Sequence, residues 1–179
     1  MSGFYNLINI KNMLIGEFSA KLQDKNRTSL PKKFRSETGD KLIISKGYED
    51  CLLVIPFSKW DLMIKDITNK PFTIGSARDT ARFILGSAQE VSLDDQGRFV
   101  IPQSLVHHAE LNEDISFIGL INWVEIWNEA RWKERENFLR TNSSNIADAL
   151  NGINVSENPG SLNLDSVNLG SGNQGSGYK

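Results

Sequence analysis

Cysteine is nearly absent from this chain. Cys51 is its single cysteine in 179 residues, so no disulfide can form within one copy, which fits a reducing, cytoplasmic setting. The residue sits in the apolar run Cys51-Leu52-Leu53-Val54-Ile55, which predicts a buried strand thiol with no catalytic partner motif nearby. Histidine is almost as scarce: the chain has two, His107 and His108. As neighbours in a predicted short helix they point to different faces and cannot share a metal as an i, i+4 pair would. Adjacent Asp94 and Asp95 fall at a predicted hairpin turn, where neighbouring carboxylates are solvated and are not expected to act as an acid/base pair. No catalytic constellation and no cofactor or metal motif remains, so an enzyme is not expected. No apolar run reaches 18 residues, and nothing is predicted to span a membrane. The mildly apolar start, Phe4 to Ile15, lacks a basic leader and a small-residue cleavage pattern, so residues 1–12 read as a short extension.

Charge of one sign is also missing overall, because the net charge is -2. Along the chain it is uneven: residues 1–60 carry +4, residues 61–145 carry -4 and residues 146–179 carry -2. Within 21–46 the cations Lys21, Lys25, Arg27, Lys32, Lys33, Arg35, Lys41 and Lys46 face only Asp24, Glu37 and Asp40. Such a local excess suits either an electrostatic footprint for a nucleic acid or an ordinary solvated face, and charge alone does not choose between them.

What the chain does have is an internal repeat. Leu22-Gln-Asp-Lys-Asn-Arg-Thr-Ser-Leu-Pro31 recurs as Leu93-Asp-Asp-Gln-Gly-Arg-Phe-Val-Ile-Pro102, with Asp24, Arg27 and Pro31 matching Asp95, Arg98 and Pro102 at a shift of 71. Val54 and Trp60 match Ile126 and Trp132 at a shift of 72. Two copies of one small unit, packed as a pseudo-symmetric pair, are expected. Each copy reads strand, tight turn, strand, short helix, hairpin and longer helix. The strands are expected at Glu17–Leu22 and Arg27–Leu30, then Glu90–Leu93 and Arg98–Ile101. In the second turn, Asp94-Asp95-Gln96-Gly97, glycine is free to take a positive φ; Asn26 holds that place in the first. Pro31 and Pro102 end strands and open the helices Lys32–Thr38 and Gln103–Ala109. Leu42–Ser45 with Cys51–Ile55, and Ile115–Leu120 with Trp123–Trp127, form apolar hairpins. Ser58 with Asp61 and Ser76 with Asp79 resemble capping boxes for helices over 59–67 and 77–88. Ala130–Arg140 is the last long helix, and Trp60, Trp123, Trp127 and Trp132 read as core. Of the 39 residues from 141 to 179, 21 are Asn, Ser or Gly, so most of this tail is expected to be disordered, with Ile146–Leu150 able to extend a helix.

An arginine directly after a tight turn projects from the shoulder of a hairpin, within reach of a groove or phosphate. A carboxylate four residues earlier can cross the turn and fix the guanidinium. Two such turns at matched places favour a binding role over a structural salt bridge.

These paired Asp-x-x-x-Arg hairpins ending in proline, with Phe34-Arg35, Glu125-Ile126-Trp127 and Trp132, resemble the MraZ family over about residues 13–140. Ala81-Arg82-Phe83 and Gly86–Glu90 sit where that family carries similar stretches. The resemblance implies an α+β fold: a tandem-repeat swapped-hairpin β-barrel of the AbrB and MazE class, with short flanking helices, assembling into rings. It divides the chain into an extension (1–12), a first repeat (13–70), a connecting helix (71–88), a second repeat (89–140) and a tail (141–179). It implies a cytoplasmic, nucleoid-associated transcription regulator that binds direct repeats in double-stranded DNA upstream of the division and cell-wall gene cluster containing its own gene. The candidate DNA contacts are Lys25, Arg27, Lys32, Lys33, Arg35, Gln96 and Arg98, oriented by Gln23, Asp24 and Asp94. The second motif matches intact, whereas Gln23 and Asn26 replace the family's Asp and Gly in the first. The competing expectation is an antitoxin-like or structural oligomer that acts through a protein partner.

Overall fold

The computed structural model describes residues 13–155, so the expectations for residues 1–12 and for the tail beyond 155 lie outside the described residues. Two compact units divide after Glu136. The first is an α+β body of eight strands and most of the helices: β1 (Leu14–Lys21), β2 (Arg27–Ser29), α1 (Lys32–Thr38), β3 (Lys41–Lys46), β4 (Leu52–Pro56), α2 (Phe57–Thr68), α3 (Gly75–Ile84), β5 (Gln89–Ser92), β6 (Arg98–Val100), α4 (Gln103–His108), β7 (Asp114–Ile121) and β8 (Val124–Asn128). The second holds the end of α5 (Glu129–Thr141) and α6 (Ser143–Val155), the latter longer than the stretch Ile146–Leu150 anticipated from sequence.

Among the described residues all strand pairings are antiparallel. Six strands form a sheet in the order β1-β7-β8-β4-β3-β5, and β2 with β6 forms a separate two-stranded ribbon. The opening strand of each copy pairs with the other copy's hairpin. Thus β1 lies along β7 from Leu14↔Ile121 to Lys21↔Asp114, and β5 lies along β3 from Lys41↔Ser92 to Ile44↔Gln89. In the two other pairings between copies a strand lies against its own repeat equivalent. Thr28 faces Phe99 in the ribbon and Leu53 faces Glu125 between β4 and β8, and these are the positions related by the 71- and 72-residue shifts. A pseudo-twofold therefore passes through both pairs.

The repeats share one core. Leu30 and Ile101, the residues before the two helix-opening prolines, are both fully buried, together with Phe34, Leu42, Ile44 and Phe117. Phe34 meets Phe18 of β1 edge-on, with ring centroids 5.0 Å apart. Strands β3 and β4 are buried on both faces, which explains their unbroken apolar runs; α2 packs on one side of them. Cys51 is buried as expected: its thiol donates to the Tyr48 carbonyl at 3.1 Å, and burial above all pushes its pKa up.

Several boundaries differ from the sequence expectation. β1 begins at Leu14, three residues before Glu17, because Gly16 (φ 114°) pairs with Gly119 and the two backbones approach closely; a Cβ on Gly119 would lie 2.7 Å from the Leu14 carbonyl. The capping boxes do not form. Pro56, at φ -53° and ψ 134°, passes straight from β4 into α2, leaving Ser58 inside the helix, and α3 opens after Ile74 rather than at Ser76. α3 then ends at Ile84 and gives way to one tighter turn, Leu85–Ser87, whose Ser87 hydroxyl donates to the Phe83 carbonyl and accepts the Lys46 N–H of β3. Of the tryptophans, Trp127 is buried, whereas Trp60, Trp123 and Trp132 are half-buried.

Candidate nucleic-acid interface

The ribbon is where the two motifs meet. In a strand, successive side chains point to opposite faces. Thr28 and Phe99 turn inward and are buried, so Arg27 and Ser29 of β2 share the outward face with Arg98 and Val100 of β6. The cross-strand pairs on that face are Arg27 with Val100 and Ser29 with Arg98. A shallow concavity lined by Arg27, Asp94, Arg98 and Val100 opens there. Reciprocal backbone bonds hold the turns against the ribbon: the Leu30 N–H donates to the Gly97 carbonyl and the Ile101 N–H to the Asn26 carbonyl, each at 2.9 Å.

The second turn has the arrangement that the motif predicts. Asp94 Oδ1 accepts the backbone N–H groups of Gln96 and Arg98 at 2.9 Å, and Oδ2 accepts Arg98 Nε at 2.7 Å. The Arg98 N–H first, and its guanidinium second, hold the Asp94 pKa below the ordinary carboxylate value. The bond uses Nε alone, so the terminal nitrogens of Arg98 pair with no described carboxylate. Gly97 takes φ 72°, and the Gln96 side chain is exposed.

The first turn closes differently. Lys25 and Asn26 both adopt left-handed backbone, at φ 59° and 57°, where the second turn needs only Gly97. The Gln23 N–H bonds the Arg27 carbonyl at 2.7 Å, matching the Asp94 bond, but the Gln23 and Asp24 side chains make no hydrogen bond to a described residue. Neither orients Arg27, which stays exposed. Asn26 does the fixing instead, through its amide to Gln103 Oε1 at 2.8 Å, which ties the first turn to α4 of the second copy.

The remaining candidates separate by surroundings. Lys32 and Lys33 open α1 and are exposed, with Lys33 Nζ 3.8 Å from where a Gly16 Cβ would be. Arg35 is half-buried. Its Nε donates to the Leu30 carbonyl at 2.7 Å, and its guanidinium lies so close over Gly97 that a Cβ there would be 2.3 Å from Nε. It braces the second turn from the first copy. Among the described residues, Lys25, Arg27, Lys32, Lys33 and Arg35 form no ion pair, whereas Lys21 is held by Asp114 at 2.7 Å and Glu113 at 3.1 Å, and Lys41 by Glu90 at 2.7 Å. The uncovered positive charge of the basic stretch is thus concentrated at the hairpin and the start of α1. Sequence reasoning missed Asn26, Gln103 and Val100 as parts of this surface, because their roles come from contacts or pairings between copies. Among the described residues no group of His, Cys, Asp and Glu could hold a metal, and no helix is long and apolar enough to cross a membrane.

Two copies of one α+β unit that exchange strands, and meet in a ribbon carrying an arginine turn from each copy, define a tandem-repeat protein with a paired-hairpin surface. The family model described as "MraZ protein, putative antitoxin-like" matches twice, over residues 13–83 and 84–152. Similar proteins include the "Transcriptional regulator MraZ" of Clostridium acetobutylicum (42% identity over 68% of this chain and 86% of that one), its namesake in Clostridium tetani (39%, with the same coverage) and that of Halothermothrix orenii (36% over 80% of this chain and all of that one). The chain belongs to the MraZ family.

Proposed function

We propose that this chain is a transcriptional regulator that binds double-stranded DNA sequence-specifically through the β2–β6 ribbon and its two turns. One observation carries the reading: Arg27 and Arg98 share the outward face of the ribbon, and beside it Lys25, Arg27, Lys32 and Lys33 are exposed and form no ion pair among the described residues. A two-stranded ribbon fits the major groove, where an arginine can bond both acceptors of a guanine. Phosphate contacts from Lys25, Lys32 and Lys33 would set position and general affinity, while Gln96 and Arg98, the latter oriented by Asp94, would supply base contacts. The target we infer is a set of direct repeats upstream of the chain's own operon in the division and cell-wall gene cluster, with the protein acting at the nucleoid in the cytoplasm. The similar proteins named "Transcriptional regulator MraZ" support the regulatory role. Footprinting the full chain on its own upstream region tests this; protection no different from that on unrelated DNA would remove it.

We infer further that the strand exchange is that of a swapped-hairpin barrel, with repeats over 13–70 and 89–140 joined by 71–88, and that copies join head to tail in a ring. The two ends of the first unit support this by being unlike. At the β3–β4 turn, Arg131 pairs with Asp50 at 2.8 Å and Glu110 at 2.7 Å. At the β7–β8 turn, Lys59 reaches the Ile121 carbonyl beside a groove lined by Leu62, Met63 and Trp123. Unlike surfaces favour heterologous contacts, which make a ring where the rotation between copies closes and a filament where it does not. Light scattering that finds only monomer at micromolar concentration would refute the assembly. The same groove favours the second reading, a protein partner for an antitoxin-like oligomer; a specific partner retained by protein that does not bind DNA would select it.

A further inference from the structure

We propose that Val100 is a specificity-determining residue that reads the C5-methyl group of a thymine beside the base engaged by Arg27. The inference rests on the DNA-binding reading of the ribbon and adds a base identity to it. Val100 is 48% exposed on the outward face, between two arginines. A lone exposed valine means nothing by itself; its partner on the opposite strand gives it meaning. Directly opposed residues on one face of an antiparallel pair hold their Cβ atoms about 4.5–5.5 Å apart. That spacing is comparable with the rise between bases, about 3.4 Å along a strand, so a guanidinium from Arg27 and the methyls of Val100 can reach neighbouring base edges together. The apolar group that major-groove edges offer is the thymine methyl. The other half of the ribbon differs, because Arg98 is paired with Ser29, whose hydroxyl has no preference for a methyl. The pseudo-twofold is therefore broken in chemistry where it is kept in shape. The half of the operator facing Arg27 and Val100 should demand a thymine that the other half does not.

The test uses the full chain and a duplex carrying the site it selects from a random pool. Each thymine is replaced in turn by deoxyuridine, which deletes only the methyl group. Burial of one methyl is worth about a fourfold change in affinity. We expect one position per bound ribbon to lose that factor. Val100→Ser, which installs the residue that the first copy carries at the same place, should lose the same factor on the thymine duplex and become indifferent to the replacement. Val100→Thr, which keeps the β-branch and one methyl, should fall between and guards against a serine that loosens the ribbon. Wild-type affinity unmoved by every replacement, or a serine variant that keeps full sensitivity to the methyl, overturns the proposal and leaves the DNA-binding reading standing. Failure to select any site from the pool overturns both.

Discussion

Replacing Lys25 and Lys32 together with alanine tests whether the charge left uncovered by the fold, rather than the charge written in the sequence, sets DNA affinity. Five cations stand at or beside the ribbon with donors free of carboxylates: Lys25, Arg27, Lys32, Lys33 and the terminal nitrogens of Arg98. If each neutralises one phosphate, log affinity should fall against log salt with a slope of about -4.5 per bound protomer. Raising salt from about 50 to 200 mM would then cost roughly 500-fold. The double variant keeps three contacts, a slope of about -2.7 and a loss of only about 40-fold over the same range. Lys21→Ala serves as the internal control. It belongs to the same basic stretch, but Asp114 and Glu113 hold its ammonium group, so its slope should stay at the wild-type value. Fluorescence anisotropy on a mixed-sequence duplex at four salt concentrations measures all three. A double variant with an unchanged slope, or a Lys21 variant as flattened as the double one, would refute the reasoning.

Three further outcomes are expected. Gln23→Asp supplies the first turn with the carboxylate that Asp94 gives the second; it should lower affinity for unrelated DNA without eroding operator preference, and a rise in that nonspecific affinity would contradict it. Gly119→Ala forces a Cβ to 2.7 Å from the Leu14 carbonyl and should cost about 1–3 kcal/mol in denaturant unfolding, as overpacking does, with no loss if β1 is free to shift. The lowered pKa of Asp94 makes its contribution to stability present above the ordinary carboxylate value and lost as pH falls through the depressed folded value. The melting-temperature gap between wild type and Asp94→Asn should accordingly narrow in acid, and a gap that widens there would be inconsistent with the hydrogen bonds around Asp94.

The repeat, the two turns and the short helices after Pro31 and Pro102 were legible because each is signalled by residues close together in the chain. Asp94 with Arg98 is such a local signal, and its geometry followed. The helix after Pro31 has the bounds that the sequence predicts, Lys32–Thr38. What could not be read is what happens between copies. No local pattern shows that β1 leaves its own hairpin for β7, that Asn26 reaches Gln103, or that Arg35 lies over Gly97, since these contacts join positions some 60 to 107 residues apart. The capping boxes failed for a related reason. Ser58 has the right spacing, but Pro56 ends a buried strand and begins the helix in one step, so the position of the helix is set by β4. Val100 carries no local signal of a binding role: alternation with the buried Phe99 puts it outside, but its place beside Arg27 comes from the pairing of β2 with β6.

The exchange of opening strands also bears on how the chain is made. When β1 leaves the ribosome, its partner β7 lies roughly 90 residues further on, so at about 5–20 residues per second it waits on the order of 5–20 seconds with its edge unsatisfied. The first copy cannot finish by itself during that interval, since the strand that completes β3 on its outer side, β5, also belongs to the second. The two copies depend on each other: neither half is a spare, and a truncated half-chain would have to find another half-chain to close its sheet. Folding is thus deferred until most of the polypeptide exists, which couples the earliest residues translated to some of the last.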